Sequence, residues 1–112
     1  MASPKYDIII DEGADYAISF TVKDDNDDPM DFTDFTGRMH LKNKIDGNIT
    51  LDYSPYISIV GNLGLVNIIV PASATINAGF INGVYDVELE SSYGNITKII
   101  RGNVEFIREV TN

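Results

Sequence analysis

The sequence predicts an all-β fold, a sandwich or small barrel of about seven or eight short strands with one short helical crossover. Three observations carry this. Apolar residues recur at period two along most of the chain, turn residues interrupt them at regular short spacing, and only residues 71–78 break the alternation for longer than a turn. At 112 residues the chain fits one domain spanning 1–112, large enough to bury roughly two thirds of its unfolded surface.

The elements follow in order. Tyr6, Ile8 and Ile10 share one face of a first strand, and Tyr16, Ile18, Phe20 and Val22 one face of a second. Between them Asp11-Glu12-Gly13-Ala14 is turn chemistry, with Gly13 free to take a positive φ. A strand from Arg38 to Asn43 turns Met39 and Leu41 inward, and Asp46-Gly47 is a hairpin signal ahead of Ile49, Leu51 and Tyr53. Tyr56 to Val60 ends at Gly61-Asn62-Leu63-Gly64. Leu65 to Val70 is apolar on both faces except at Asn67, the pattern of a strand covered on both sides. Pro71 to Ala78 holds the helical crossover, with Pro71 at its start. Tyr85, Val87 and Leu89 then alternate with Asp86, Glu88 and Glu90. A Ser91-Ser92-Tyr93-Gly94 turn leads into a long strand from Asn95 to Arg108, interrupted at Gly102 by a bulge or a close backbone contact. Tyr16, Ile18 and Phe20 are expected to face Tyr85, Val87 and Leu89 across two sheets.

Composition removes several function classes. With no cysteine there is no disulfide framework, thiolate metal site or cysteine nucleophile. The longest apolar runs, such as Ile68-Ile69-Val70, fall far short of the roughly 20 residues that span a bilayer, so no membrane insertion is expected. Met1 to Lys5 carries no secretory signal pattern, and the mature chain is expected to start near there. A net charge of −9 with eight Lys and Arg argues against nucleic acid. The imbalance is local: residues 1–36 hold ten acids and two bases, residues 37–112 seven acids and six bases. One end or edge of the fold is therefore expected to be strongly negative.

The stretch from Phe20 to Gly37 contains six aspartates and is the nearest thing to a metal motif. Asp24, Asn26 and Asp28 occupy the first, third and fifth positions of an EF-hand loop. The sixth is Pro29 where glycine is needed, the twelfth is Phe35 in place of a bidentate glutamate, and strands flank it. A cadherin-type calcium linker fits no better, because the proline comes one residue early. Asp, Asn and Pro suffice for a water-facing hairpin tip, which is the preferred reading, with calcium at Asp24, Asn26 and Asp28 as the alternative. His40, the one histidine, points away from Met39 and Leu41 with no partner at a catalytic spacing, and is expected to be an exposed strand residue. Asp86, Glu88 and Glu90 form a carboxylate stripe, expected to be the wet face of their strand. No phosphate loop, HExxH or GxSxG pattern is present. The sequons at Asn48 and Asn95 carry little weight without a signal peptide. Tyr53, Tyr56 and Tyr93 are candidate interface anchors or core lids.

Tyr6-Asp7-Ile8, Glu12-Gly13, Asp31 to Gly37, Gly83 to Glu90 and Gly102 to Thr111 together resemble a group of small tailed-bacteriophage proteins that accompany tail or baseplate components. The chain is also similar to the N-terminal immunoglobulin-like module of phage upper baseplate proteins, which docks fibres to a tail. The likeness covers most of both halves but not residues 44–70. It implies an immunoglobulin-like antiparallel β-sandwich and a non-enzymatic virion protein, a ring-forming collar or adaptor assembled in the host cytoplasm. Its implied partners are other virion structural proteins and further copies of itself, with no cofactor. In that group the segment matching Asp24 to Pro29 is a variable polar turn. The charge pattern then suggests an interface in which Lys98, Arg101 and Arg108 of one copy meet Asp25 and Asp27 of the next. A capsid decoration protein, and a calcium-dependent adhesion or carbohydrate-binding module, stay open as alternatives.

Overall fold

The computed structural model describes residues 4–44, 49–76 and 81–108. Among these residues the strands are β1 (Ile8–Asp11), β2 (Tyr16–Thr21), β3 (Thr36–Asn43), β4 (Ile49–Asp52), β5 (Ile57–Val60), β6 (Leu65–Val70), β7 (Asn82–Glu90) and β8 (Ile96–Ile107). One α-helical turn, α1 (Ala72–Thr75), joins β6 to the segment before β7, and 3-10 turns at Ser54–Tyr56 and Gly61–Leu63 flank β5. The Asp46-Gly47 hairpin signal and the Asn48 sequon lie outside the described residues. So do Asn77 and Ala78 at the end of the expected crossover.

The strands form two sheets, β1-β8-β7-β3-β4 and β2-β6-β5. Relabelled B to G, β2 to β8 place B, E and D in one sheet and C′, C, F and G in the other, which is the immunoglobulin arrangement. The fold is an immunoglobulin-like β-sandwich with one departure from the expected all-antiparallel pairing. β1 pairs parallel with β8, Ile8 opposite Val104 and Asp11 opposite Ile107. The first strand takes the free edge of the last strand, and the turn at Gly13, with φ 82°, carries the chain across to the other sheet. Thr75, a fully buried hydroxyl, sews α1 to that turn: it accepts from the Gly13 N–H at 3.1 Å and stands 3.0 Å from the Ala14 carbonyl. Asp15 accepts from the Ala72 N–H at 2.7 Å.

Period-two patterning builds the core directly. Met39 and Leu41, Tyr85, Val87 and Leu89, Ile99, Val104 and Phe106, and Ile8 and Ile10 line the inner face of the five-stranded sheet. Val66, Ile68 and Val70 answer from the other sheet, with Tyr16, Ile18 and Phe20 half-buried beside them, as the patterning predicts. Phe32 and Tyr53 plug the rims; the Tyr53 hydroxyl donates to the Ala74 carbonyl at 3.1 Å, and Phe32 stacks edge-on against Phe35.

One expectation needs correction, and one pair of alternatives is resolved. β6 is covered on one face only: Ile69 is 61 % exposed, because a two-layer fold buries a single face of each sheet. The outward positions Ala17, Ser19, Thr21, Ser58, Val60, Leu65, Asn67 and Ile69 carry no charge. The bulge in β8 lies at Ile99–Ile100, opposite Val87 and Glu88, not at Gly102. Gly102 is the close backbone contact: a Cβ there would fall on the Tyr6 carbonyl oxygen. The N-terminal segment crosses at that point, and the Asp7 carboxylate accepts from the Asn103 N–H at 2.9 Å, standing in for a ladder carbonyl.

Candidate protein-interaction surface

The outer face of the five-stranded sheet is a charge ladder. β3 turns Arg38, His40 and Lys42 outward, β7 turns Val84, Asp86, Glu88 and Glu90 outward, and β8 contributes Lys98 and Arg101. Register sets an acidic column between two basic ones, Arg38 opposite Glu88, His40 opposite Asp86, Glu88 opposite Lys98 and Asp86 opposite Arg101. Near the β7–β8 turn the charges cancel. Arg38 reaches Glu88 at 2.9 Å and Glu90 at 3.1 Å, while Lys98 lies 3.4 Å from Glu88 and 3.5 Å from Asp86. The carboxylate stripe is therefore not simply wet: the Glu88 side chain is only 17 % exposed and sits between two cations.

Toward the other end of the sheet β7 carries no further acid. β7 offers Val84 beyond Asp86, whereas β3 still supplies Lys42, β8 supplies Arg101, and the N-terminal segment, bridged to Arg101, adds Lys5. These bases surround an open groove of about 740 Å³ whose one carboxylate is Asp86. Half of the chain's eight Lys and Arg, together with His40, line it. His40 stands 3.7 Å from Asp52, and hydrogen bonding from Ser54, then the imidazole's proximity, hold the Asp52 carboxyl below its usual range. Such a lining offers cations and N–H donors to an anionic partner.

The sequence-predicted residues divide. Lys98 and Arg101 are in the groove, but Arg108 is not; it reaches Glu12 at 3.3 Å beside the β1–β2 turn. Asp24, Asn26 and Asp28 lie in a tight hairpin between β2 and β3. There Asp24 Oδ1 accepts from the N–H groups of Asn26 at 2.9 Å and Asp28 at 3.0 Å, so that this carboxylate organises the turn. Among the described residues no three metal-ligating side chains converge. Asp27 takes a left-handed φ of 66°, and its side chain is 85 % exposed, 3.6 Å from Lys23. Asp25 is also exposed. Asp31 accepts from both the N–H and the hydroxyl of Thr33, which lowers its pKa. Tyr93, at the tip of the β7–β8 hairpin, is 91 % exposed, whereas Tyr53 is a core lid. Sequence reasoning missed Lys5 and Lys42 as groove residues. Strand parity puts Lys42 beside His40, but which strands flank β3 is a long-range fact, and Lys5 arrives only through the parallel pairing.

No family model matches this chain, and no curated protein matches it. Among solved structures it is similar to a variant of the SrpA adhesin of Streptococcus sanguinis, at 14 % identity and a TM-score of 0.41, over 91 % of this chain and 55 % of that one. Domains 3–5 of Drosophila OTK, an extracellular fragment, give 13 % identity and a TM-score of 0.41 over 96 % of this chain and 33 % of that one. A family 123 glycoside hydrolase from Clostridium perfringens gives 12 % and 0.32, over 97 % and 24 %. The chain spans little more than half of the first of these chains and a third or less of the other two. Likeness at this level carries no functional argument, and the immunoglobulin-like assignment rests on strand order.

Proposed function

We propose that this protein is a non-enzymatic structural component of a phage particle, a collar or adaptor at the tail or baseplate that works through protein–protein contacts. One observation carries the reading: on a chain of net charge −9, four bases converge on a groove holding a single carboxylate. That arrangement suits an acidic protein surface, while the overall negative charge disfavours nucleic acid. The tail or baseplate setting rests on the resemblance of residues 6–42 and 79–112 to small phage tail proteins. The native protein is then expected to sediment with a particle far heavier than its own 12.4 kDa, and antibody label is expected on tails or baseplates in electron micrographs. Recovery only as a small free species, with tails unlabelled, contradicts the proposal. Label on the capsid shell makes the protein a decoration protein instead.

A further inference from the structure

We propose that the basic groove is a docking site for the acidic β2–β3 hairpin of a second copy of this chain. The inference rests on the structural-protein reading and names the partner of the same site. The groove brings together Lys5, Lys42, Lys98 and Arg101 around Asp86, a formal charge of +3 over these five side chains. The hairpin presents Asp24, Asp25, Asp27 and Asp28 with Lys23, a net charge of −3. Every residue from Lys23 to Pro29 is exposed, and the fold of the tip is fixed by its own hydrogen bonds, Asp24 N–H to the Asp28 carbonyl at 2.8 Å and Asp27 N–H to the Asp24 carbonyl at 3.0 Å. A preformed, narrow, charged tip loses little conformational freedom on docking. The groove's 740 Å³ is of the size that receives a small ligand or a few side chains.

Topology makes the contact intermolecular. Residues 30–35 lead from the hairpin to β3 at Thr36 and are held there by the Phe32 N–H to the Gly61 carbonyl, as Val22 is by the Gly64 carbonyl. Lys42 lies six residues further along β3, roughly 20 Å from Thr36. The tip projects from the opposite end of the strand, so a chain cannot fill its own groove. The groove of one copy is completed by the carboxylates of another. This contact is heterologous, so it builds a ring where the rotation closes and a filament where it does not. The structure also corrects the simpler charged-strand scheme. Arg108 is engaged by Glu12, and Lys98 by Glu88 and Asp86, which leaves Lys5, Lys42 and Arg101 as the bases that define the site.

The test is sedimentation velocity of the full chain at low and high salt, with two charge-reversed variants, Lys42→Glu/Arg101→Glu in the groove and Asp25→Lys/Asp27→Lys on the hairpin, each checked for native circular dichroism. The wild type is expected to self-associate at low salt and to dissociate as salt rises. Each variant alone presents like charges at both surfaces, and its association is expected to weaken by about tenfold or more. An equimolar mixture of the two restores complementarity at both kinds of contact and is expected to recover the oligomer. A wild type that stays monomeric at every concentration and salt overturns the proposal, as do variants that associate like the wild type or a mixture without recovery. If a monomeric wild type still sediments with particles, self-docking has failed while the adaptor reading stands.

Discussion

The sharpest constraints act at single residues. Gly102 holds the N-terminal segment against β8, because any side chain there meets the Tyr6 carbonyl, which also accepts from the Tyr85 hydroxyl. Gly102→Ala is expected to cost about 1–3 kcal/mol by overpacking and to speed hydrogen exchange at the amides of Tyr6 and Glu12, which donate to Arg101 and Ile107. Gly94, with φ 88° and open space around its Cβ position, is the control: its alanine variant is expected to leave those two amides protected. The buried phenols make a second prediction. Burial, then Tyr6, pushes Tyr16 up to about 12. Burial, then Tyr56, does the same to Tyr53, and burial followed by Tyr16 raises Tyr85 further. Each lies above the 10.0 of a free phenol, so the folded chain holds these protons more tightly than the unfolded one. Their contribution to stability is full below pH 10 and is lost as pH rises through about 12. The melting temperature is expected to fall steadily across that window; a flat profile contradicts the placement of these rings.

At the scale of elements, much was legible because strand alternation and burial share one period. The bounds of β6 are those the sequence predicts, and β7 turns Tyr85, Val87 and Leu89 inward as its pattern requires. Asp24 illustrates the limit. Its spacing imitates a calcium loop, yet the deciding fact is which N–H groups its oxygen meets, and only the turn geometry reveals that. The parallel β1–β8 pair and the burial of Glu88 were likewise invisible locally, because both depend on neighbours distant in sequence. Burial separates the two faces of β7 energetically. Leu89→Ala is expected to cost about 2–5 kcal/mol through lost transfer energy and a cavity. Glu88→Ala strips Arg38 and Lys98 of a shared partner and is expected to cost about 1 kcal/mol, with part of the pairing screened by solvent. Equal losses in denaturant melts would mean that the register is displaced by one residue.

The whole molecule sets a charged sheet face against a neutral one. The ladder of β3, β7 and β8 ends in the basic groove, the acidic tip lies beyond the far end of β3, and the outward side of β2, β6 and β5 is uncharged around Ile69. Among the described residues the groove and the neutral face are two candidate docking surfaces for a partner, and the proposal places assembly at the groove. The direct measurement is incorporation of variants into particles, quantified in the sedimented fraction beside the wild type. Lys42→Glu/Arg101→Glu is expected to stay folded and remain in the soluble fraction, while Ile69→Asp, on the neutral face, is expected to be incorporated at the wild-type level. Normal incorporation of the groove variant together with exclusion of Ile69→Asp would contradict the account and move the functional surface to the neutral sheet.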